Sequence, residues 1–446
     1  MRKFEGVLWW LIPLAFVVVA TTTPTLSVIG LAAALALVAY VMLPLHALIF
    51  VFAMLLPIWS VGSLDPVYFD AARAGVALLV LVKSKPTARR LWARASWVIA
   101  APLLIVGVVI LAVGLARPDG NAATTGATML LSVVVAWVVL ARTDDPWPLL
   151  NGYLVGLMLS AAVMFLTAAG ITALTPQANA GFLRLTGLSP SATLITYQMA
   201  LGSVIAWAAM RRGTSRGWYV LVLVASLAAV ALSGGRGGVV ALAIALLVSI
   251  RWGWFRPVPA IALGLAGWLV VSQASARGFT LNTLERFMSA SADGRPEARL
   301  ALFSDAMDSV ASNPILGQGL PYFESTYGGG PHFALLSFTV AGGLACGLLI
   351  VWVTLTLVRR LASTSPAPYG SAGKAGHLVL AVLIATSIFE PTGPFVGAEF
   401  VTLLLLSVGL TTVLPSDGLV APAQSARKKP RPPIREDRKA GLIGAV

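Results

Sequence analysis

Apolar runs separated by short polar breaks fill this chain, and the runs are continuous rather than alternating. Fourteen of them fall at roughly 7–20, 26–43, 45–61, 71–82, 96–115, 127–141, 148–169, 191–210, 218–233, 238–250, 257–272, 332–358, 378–390 and 395–413. Only helices and closed barrels satisfy every backbone group in hydrocarbon, and a helix needs about 20 residues to cross it. Continuous runs favour helices over the alternating strands of a barrel. The pattern therefore predicts an all-α, polytopic integral membrane protein with about 12–14 transmembrane helices, the first of them uncleaved after MRKFEG.

One polar stretch breaks the rhythm. Ser272–Pro331 is the one long polar segment between spans, and it runs straight into His332 at the mouth of the next. Within it Pro296–Ser312 reads as a surface helix, with proline in the first turn and Phe303, Met307 and Val310 at i, i+4 and i+7 on one face. Arg299, Asp305 and Asp308 are its polar residues, and Asn313-Pro314 ends it by biasing the residue before proline away from helix.

Composition agrees. Of the 446 residues 58% are hydrophobic and 11% charged, and the mean hydropathy is +0.88. A soluble domain needs about a quarter charged residues to cover its surface. The net charge of +14 could suggest nucleic acid, but the basic residues are spread over loops and a tail, so no nucleic-acid partner is expected. Membrane orientation explains them better. With a cytoplasmic amino terminus, 23 of the 31 Lys and Arg fall inside, which fixes both termini as cytoplasmic. Arg184, Arg236, Arg286, Arg295, Arg299 and His332 then face out.

The domain reading is a transmembrane unit over 1–413, with an extracytoplasmic loop at 273–331, and a disordered basic tail over 414–446 beside anionic headgroups. Cys346 is the single cysteine, which excludes a disulfide framework and a thiolate metal site. No carboxylates are spaced as metal ligands, so neither metal nor cofactor is expected.

Candidate chemistry gathers on the outer side. Arg236 sits in SGGRGG (Ser233–Gly238), where glycines suit either a backbone anion site or close helix packing. Arg184 lies in GFLRLTGLSP (Gly181–Pro190), and taken alone it reads as a headgroup anchor. Two outward arginines near span mouths together suggest a diphosphate clamp, because guanidinium is the favoured partner for phosphate. His332 stands at a span mouth, where a neutral imidazole can accept a proton near physiological pH. His46 and His377 read as hydrogen-bonded interfacial residues, and Glu390, Glu399, Asp65 and Asp70 as solvated interfacial carboxylates.

The ordered set resembles the O-antigen ligase and polymerase superfamily. It comprises Arg184 before a span, Arg236 at a Ser/Gly-rich turn, Arg299 four residues before Phe303, the run Asn313, Pro314, Gly317 and Gly319, then His332 with Gly342 and Gly343 following. The resemblance covers 181–358; Phe333 stands where an Asn commonly follows the His, and Phe303 where Trp is usual. It implies a metal-independent glycosyltransferase of the bacterial plasma (inner) membrane, acting on the outer face. The implied partners are a polyprenyl-diphosphate-linked (undecaprenyl diphosphate) glycan donor, a glycan or glycolipid acceptor and membrane lipids. Arg184 and Arg236 would bind the diphosphate, Arg299 would support that site or the loop, and His332 would activate the acceptor hydroxyl. Ligase and polymerase both remain open, as does a flippase or transporter of a lipid-linked glycan; a non-catalytic scaffold of envelope assembly is the third reading.

Overall fold

The computed structural model describes residues 42–59, 66–84, 91–116, 121–168, 177–179, 182–212, 215–251, 295–327, 330–331, 333–363, 370–390 and 395–412. Its helices are α1 (Leu45–Leu55), α2 (Pro66–Lys83), α3 (Leu91–Leu115), α4 (Asn121–Leu140), α5 (Trp147–Ala168), α6 (Ala192–Ala209), α7 (Arg216–Ser233) and α8 (Arg236–Arg251). They continue with α9 (Arg295–Ser312), α10 (Leu320–Tyr327), α11 (Ala334–Ser363), α12 (Gly370–Phe389) and α13 (Ala398–Thr412). Eleven of the fourteen apolar runs are thus helices, while 7–20, almost all of 26–43 and 257–272 lie outside the described residues, as does the tail at 414–446. Among the described residues seven helices are long and apolar enough to cross a membrane. The chain is a multi-pass, helical membrane protein.

One small departure concerns strands. Gln177–Asn179 (β1) and Phe182–Arg184 (β2) pair antiparallel, with Gln177 opposite Arg184. Three residues per strand carry too little alternation for a hydropathy pattern to show.

The bundle has an inside and a lipid-facing outside. α13 is buried along its described side chains, enclosed by α3, α4 and α12, and α6 is almost as enclosed by α7, α8 and α12. α7 instead leaves Val220, Leu221, Val224 and Leu227 exposed, as a helix against lipid can without cost. Between apolar helices in lipid no hydrophobic drive remains, so packing relies on small residues that let backbones approach. At Gly152 an added Cβ would lie 2.2 Å from the Phe50 carbonyl oxygen, and at Gly156 2.2 Å from that of Met54, so α5 rides directly on α1. The turn between α7 and α8 closes on Gly234, in the left-handed region at φ 70°.

The expected surface helix exists over Arg295–Ser312, but its buried face is different. Ala306 and Ser309 are buried and, with Leu302 and Val310, face Leu336 and Val340 of α11 and Phe323 of α10. Phe303 and Met307, which share a face with Val310 in the sequence pattern, are about half exposed (47% and 50%). The two stripes lie one residue apart, about 100° around the helix. Ala306 wins the inner position because its small side chain lets α9 sit close on α11, and the bulky pair turns to surroundings that in a membrane protein include lipid.

Gly152→Ala should lower the unfolding temperature in detergent, since overpacking against a fixed carbonyl costs about 1–3 kcal/mol. Gly75→Ala, where nothing lies within 4 Å of the added Cβ, should not lower it. A thermal unfolding scan of both variants decides.

Candidate functional site

The long outer loop meets the next span at a break in that span. α11 bends at Gly342 (φ −141°, ψ 19°) and Gly343 (φ 78°, ψ −177°), the second in a region L side chains rarely adopt. The break interrupts the internal hydrogen bonds of the helix, and the chain just after α9 replaces them. Gln318 and Gly319 donate their backbone N–H groups to the Val340 carbonyl (2.7 and 3.1 Å), and Leu344 donates to the Pro314 carbonyl (2.8 Å). Gly317 (φ 68°) and Gly319 (φ 81°) give the turn its shape. A Cβ on Gly343 would lie 2.0 Å from the Ile315 carbonyl oxygen, and one on Gly317 2.4 Å from that of Val340. The run Asn313, Pro314, Gly317, Gly319 and the pair Gly342, Gly343 are therefore two halves of one joint.

The joint fixes the first segment of α11, whose start adjoins His332. His332 itself lies outside the described residues, but its neighbours are held: the Pro331 carbonyl accepts from the Phe333 N–H (2.7 Å) and from the Ser337 hydroxyl (2.8 Å). Phe338, one turn further, meets Phe395 edge-on at 5.9 Å between ring centroids, which seats this segment beside the start of α13.

The three arginines sit on three elements. Arg184 ends β2, and the chain then runs through Leu185–Pro190 to Ser191, whose side chain caps α6 by accepting from the Leu194 N–H (3.1 Å). Arg236 opens α8 and is half-buried. Its glycine neighbours are packing residues: an added Cβ would lie 2.0 Å from Thr196 Oγ1 at Gly235, and 1.9 Å from the Tyr197 hydroxyl at Gly237. Arg236 thus stands at the amino-terminal end of α6, and Arg184 precedes that helix by eight residues in sequence. Arg299 lies in the second turn of α9. Of the three guanidinium groups only that of Arg236 lies among the described side chains.

A polar cluster that sequence reasoning missed lies within the bundle. Glu399 is fully buried rather than solvated. Its Oε2 accepts from Trp59 Nε1 (3.0 Å) and Gln198 Nε2 (2.6 Å), and its Oε1 accepts from the Tyr153 hydroxyl (2.8 Å). Arg73, 2% exposed, adds electrostatic attraction to Glu399 and pairs with Asp70 at 2.6 Å. It also donates to the carbonyls of Leu55 and Leu56 (both 3.1 Å) and Ile58 (2.5 Å), satisfying groups left open at the end of α1. The interfacial reading of Glu399 is therefore corrected, and Asp70 is an ion-pair partner, half-exposed at 42%. Asp65 lies outside the described residues. The available signal was Gln198 within an apolar run, since a polar side chain there needs a partner. His377 is hydrogen-bonded as expected, with Nδ1 2.8 Å from the Gly373 carbonyl, but it is buried rather than interfacial.

Residues 220–351 match the family model described as O-antigen ligase. The match makes this segment similar to the O-antigen ligase family. It runs from α7 into α11 and contains Arg236, Arg299, both halves of the glycine joint and His332, while Arg184 and the Glu399 cluster lie outside it. No curated protein matches the chain. The match supports a membrane glycosyltransferase of ligase or polymerase type, in the context of lipid-linked glycans. Among the described residues no three His, Cys, Asp or Glu side chains gather as metal ligands.

Gly343→Ala should open the joint, because the methyl group collides with backbone and the φ is strained. Limited proteolysis should then cleave within Asn313–Gly319 faster than in the parent protein.

Proposed function

We propose that the protein moves a glycan from a polyprenyl diphosphate to an acceptor hydroxyl on the outer face of the bacterial plasma membrane, with both termini cytoplasmic and no metal taking part. The observation that carries this reading is the glycine joint: two family-like motifs, separate in sequence, dock the outer loop onto the span that His332 heads. A loop tied this way suits a reaction between two large substrates, because orientation alone supplies much of such a rate.

In this reading Arg184, Arg236 and Arg299 neutralise the diphosphate, with fixed guanidinium groups replacing the divalent ion that often does so. His332 takes the proton from the acceptor hydroxyl as that oxygen bonds to the anomeric carbon. The bond from the anomeric carbon to the diphosphate oxygen breaks, its electron pair leaves with the polyprenyl diphosphate, and configuration inverts. Apolar span surfaces hold the polyprenyl chain, and the loop over 273–331 covers the glycan. A ligase and a polymerase run this same step with different acceptors, and surface glycans of a deletion strain separate them: full chains left on lipid mark a ligase, unpolymerised units on the acceptor a polymerase.

With purified protein and a polyprenyl-diphosphate-linked glycan, His332→Ala should lower transfer by about 100-fold or more, the usual span for a lost general base. Arg236→Ala should lower it at unchanged yield, and a chelator should leave it unaffected. Full transfer by the His332 variant overturns the base assignment, and strong chelator inhibition overturns the metal-free clamp.

A further inference from the structure

Glu399 has more partners than packing alone requires, and one of them reaches the loop that follows Arg184. Trp59 donates its indole N–H to Glu399 and its backbone N–H to the Leu188 carbonyl (3.0 and 2.8 Å). Leu188 in turn donates its own N–H to Ser160 Oγ (2.9 Å), and its side chain is buried with Ile58 and Phe69. Gly397, at φ 91°, lets the chain before α13 pass the indole, where a Cβ would come within 3.1 Å of the ring. A line of contacts therefore runs from α13 through Trp59 to a residue four positions beyond Arg184.

We propose that Glu399 is a positioning residue for the donor site, holding Arg184 in place through Trp59 and Leu188. The proposal rests on the reading in which Arg184 binds the donor diphosphate. Preorganisation is what makes a guanidinium clamp effective, so a looser Leu185–Pro190 segment weakens donor binding before it affects anything else. A carboxylate suits the task because it is acceptor-only and faces three donors. An amide at the same place can still turn its oxygen to the indole and the Gln198 amide, and its NH2 to the Tyr153 oxygen.

Four variants of the full-length protein, assayed with a polyprenyl-diphosphate-linked glycan, test this. Trp59→Phe keeps an aromatic ring, though a smaller one, and loses the indole N–H; it should raise donor KM about tenfold, the scale of one buried hydrogen bond, with acceptor KM unchanged. Glu399→Ala should do the same, and Glu399→Gln should restore donor KM to within about threefold of the parent. Adding Trp59→Phe to Arg184→Ala should raise donor KM no further than Arg184→Ala alone, because the loop then has no guanidinium to position. A cluster with a merely structural role gives additive effects and raises acceptor KM equally, and that result overturns the proposal. Should Glu399→Ala fail to accumulate, the Trp59 and double variants carry the test. If Arg184→Ala raises donor KM and Trp59→Phe does not, the positioning role falls alone. If Arg184→Ala leaves donor KM unchanged, the diphosphate role of Arg184 falls and the positioning role with it.

Discussion

A peptide group inside a membrane protein has no water to turn to, and the break at Gly342 and Gly343 makes that constraint govern the functional half of the molecule. Once α11 bends, the Val340 carbonyl and the Leu344 N–H need partners from elsewhere, and the turn after α9 supplies them. Leaving a buried backbone group unpaired costs about 1–3 kcal/mol in water-based systems, and more where no water competes. Neither partner can then leave cheaply. The loop stays docked because the span is broken, and the span tolerates its break because the loop is docked.

The remaining placement follows from that joint. With the turn fixed, α9 is drawn down onto Leu336 and Val340, and Ala306 allows the approach. The first segment of α11 is thereby packed from above by α9, and beside it the Phe338 ring meets Phe395 at the start of α13. Four residues beyond Phe395 stands Glu399, whose donors come from the end of α1, from α5 and from α6. A buried carboxylate of this kind adds little net stability when its partners are complete, yet losing a partner strands the charge. It therefore works as a specifier of arrangement, tying elements that apolar packing alone would leave free to slide.

How much of this was legible depended on the range of the interaction. The limits of α9 were readable because proline at one end and Asn313-Pro314 at the other act locally, and the α7–α8 hairpin because glycines mark it. The face of α9 was not, because periodicity finds two apolar stripes and only the surface beneath decides between them. Glu399 was misread for the same reason: its donors Trp59, Tyr153 and Gln198 lie 340, 246 and 201 positions away in sequence. The two glycine motifs were each visible, but their meeting was not, since neither states which backbone its missing Cβ makes room for.

The segment that matches the O-antigen ligase family ends in α11, yet it does not bury itself. α8 packs on α6 and α12, and the glycines around Arg236 are shaped to Thr196 and Tyr197 of α6, all outside 220–351. The surroundings of Arg236 are thus set by spans outside the matched segment. Arg184 and Glu399 flank it in sequence, and Glu399 reaches through Trp59 to Leu188, four positions beyond Arg184. Surrounding spans of this sort need only be apolar where they face lipid, as α3 is at Ile105 and Val108. They are constrained where a missing Cβ or a buried polar atom has to meet the segment, and those contacts, more than hydrophobicity, make the bundle a particular one.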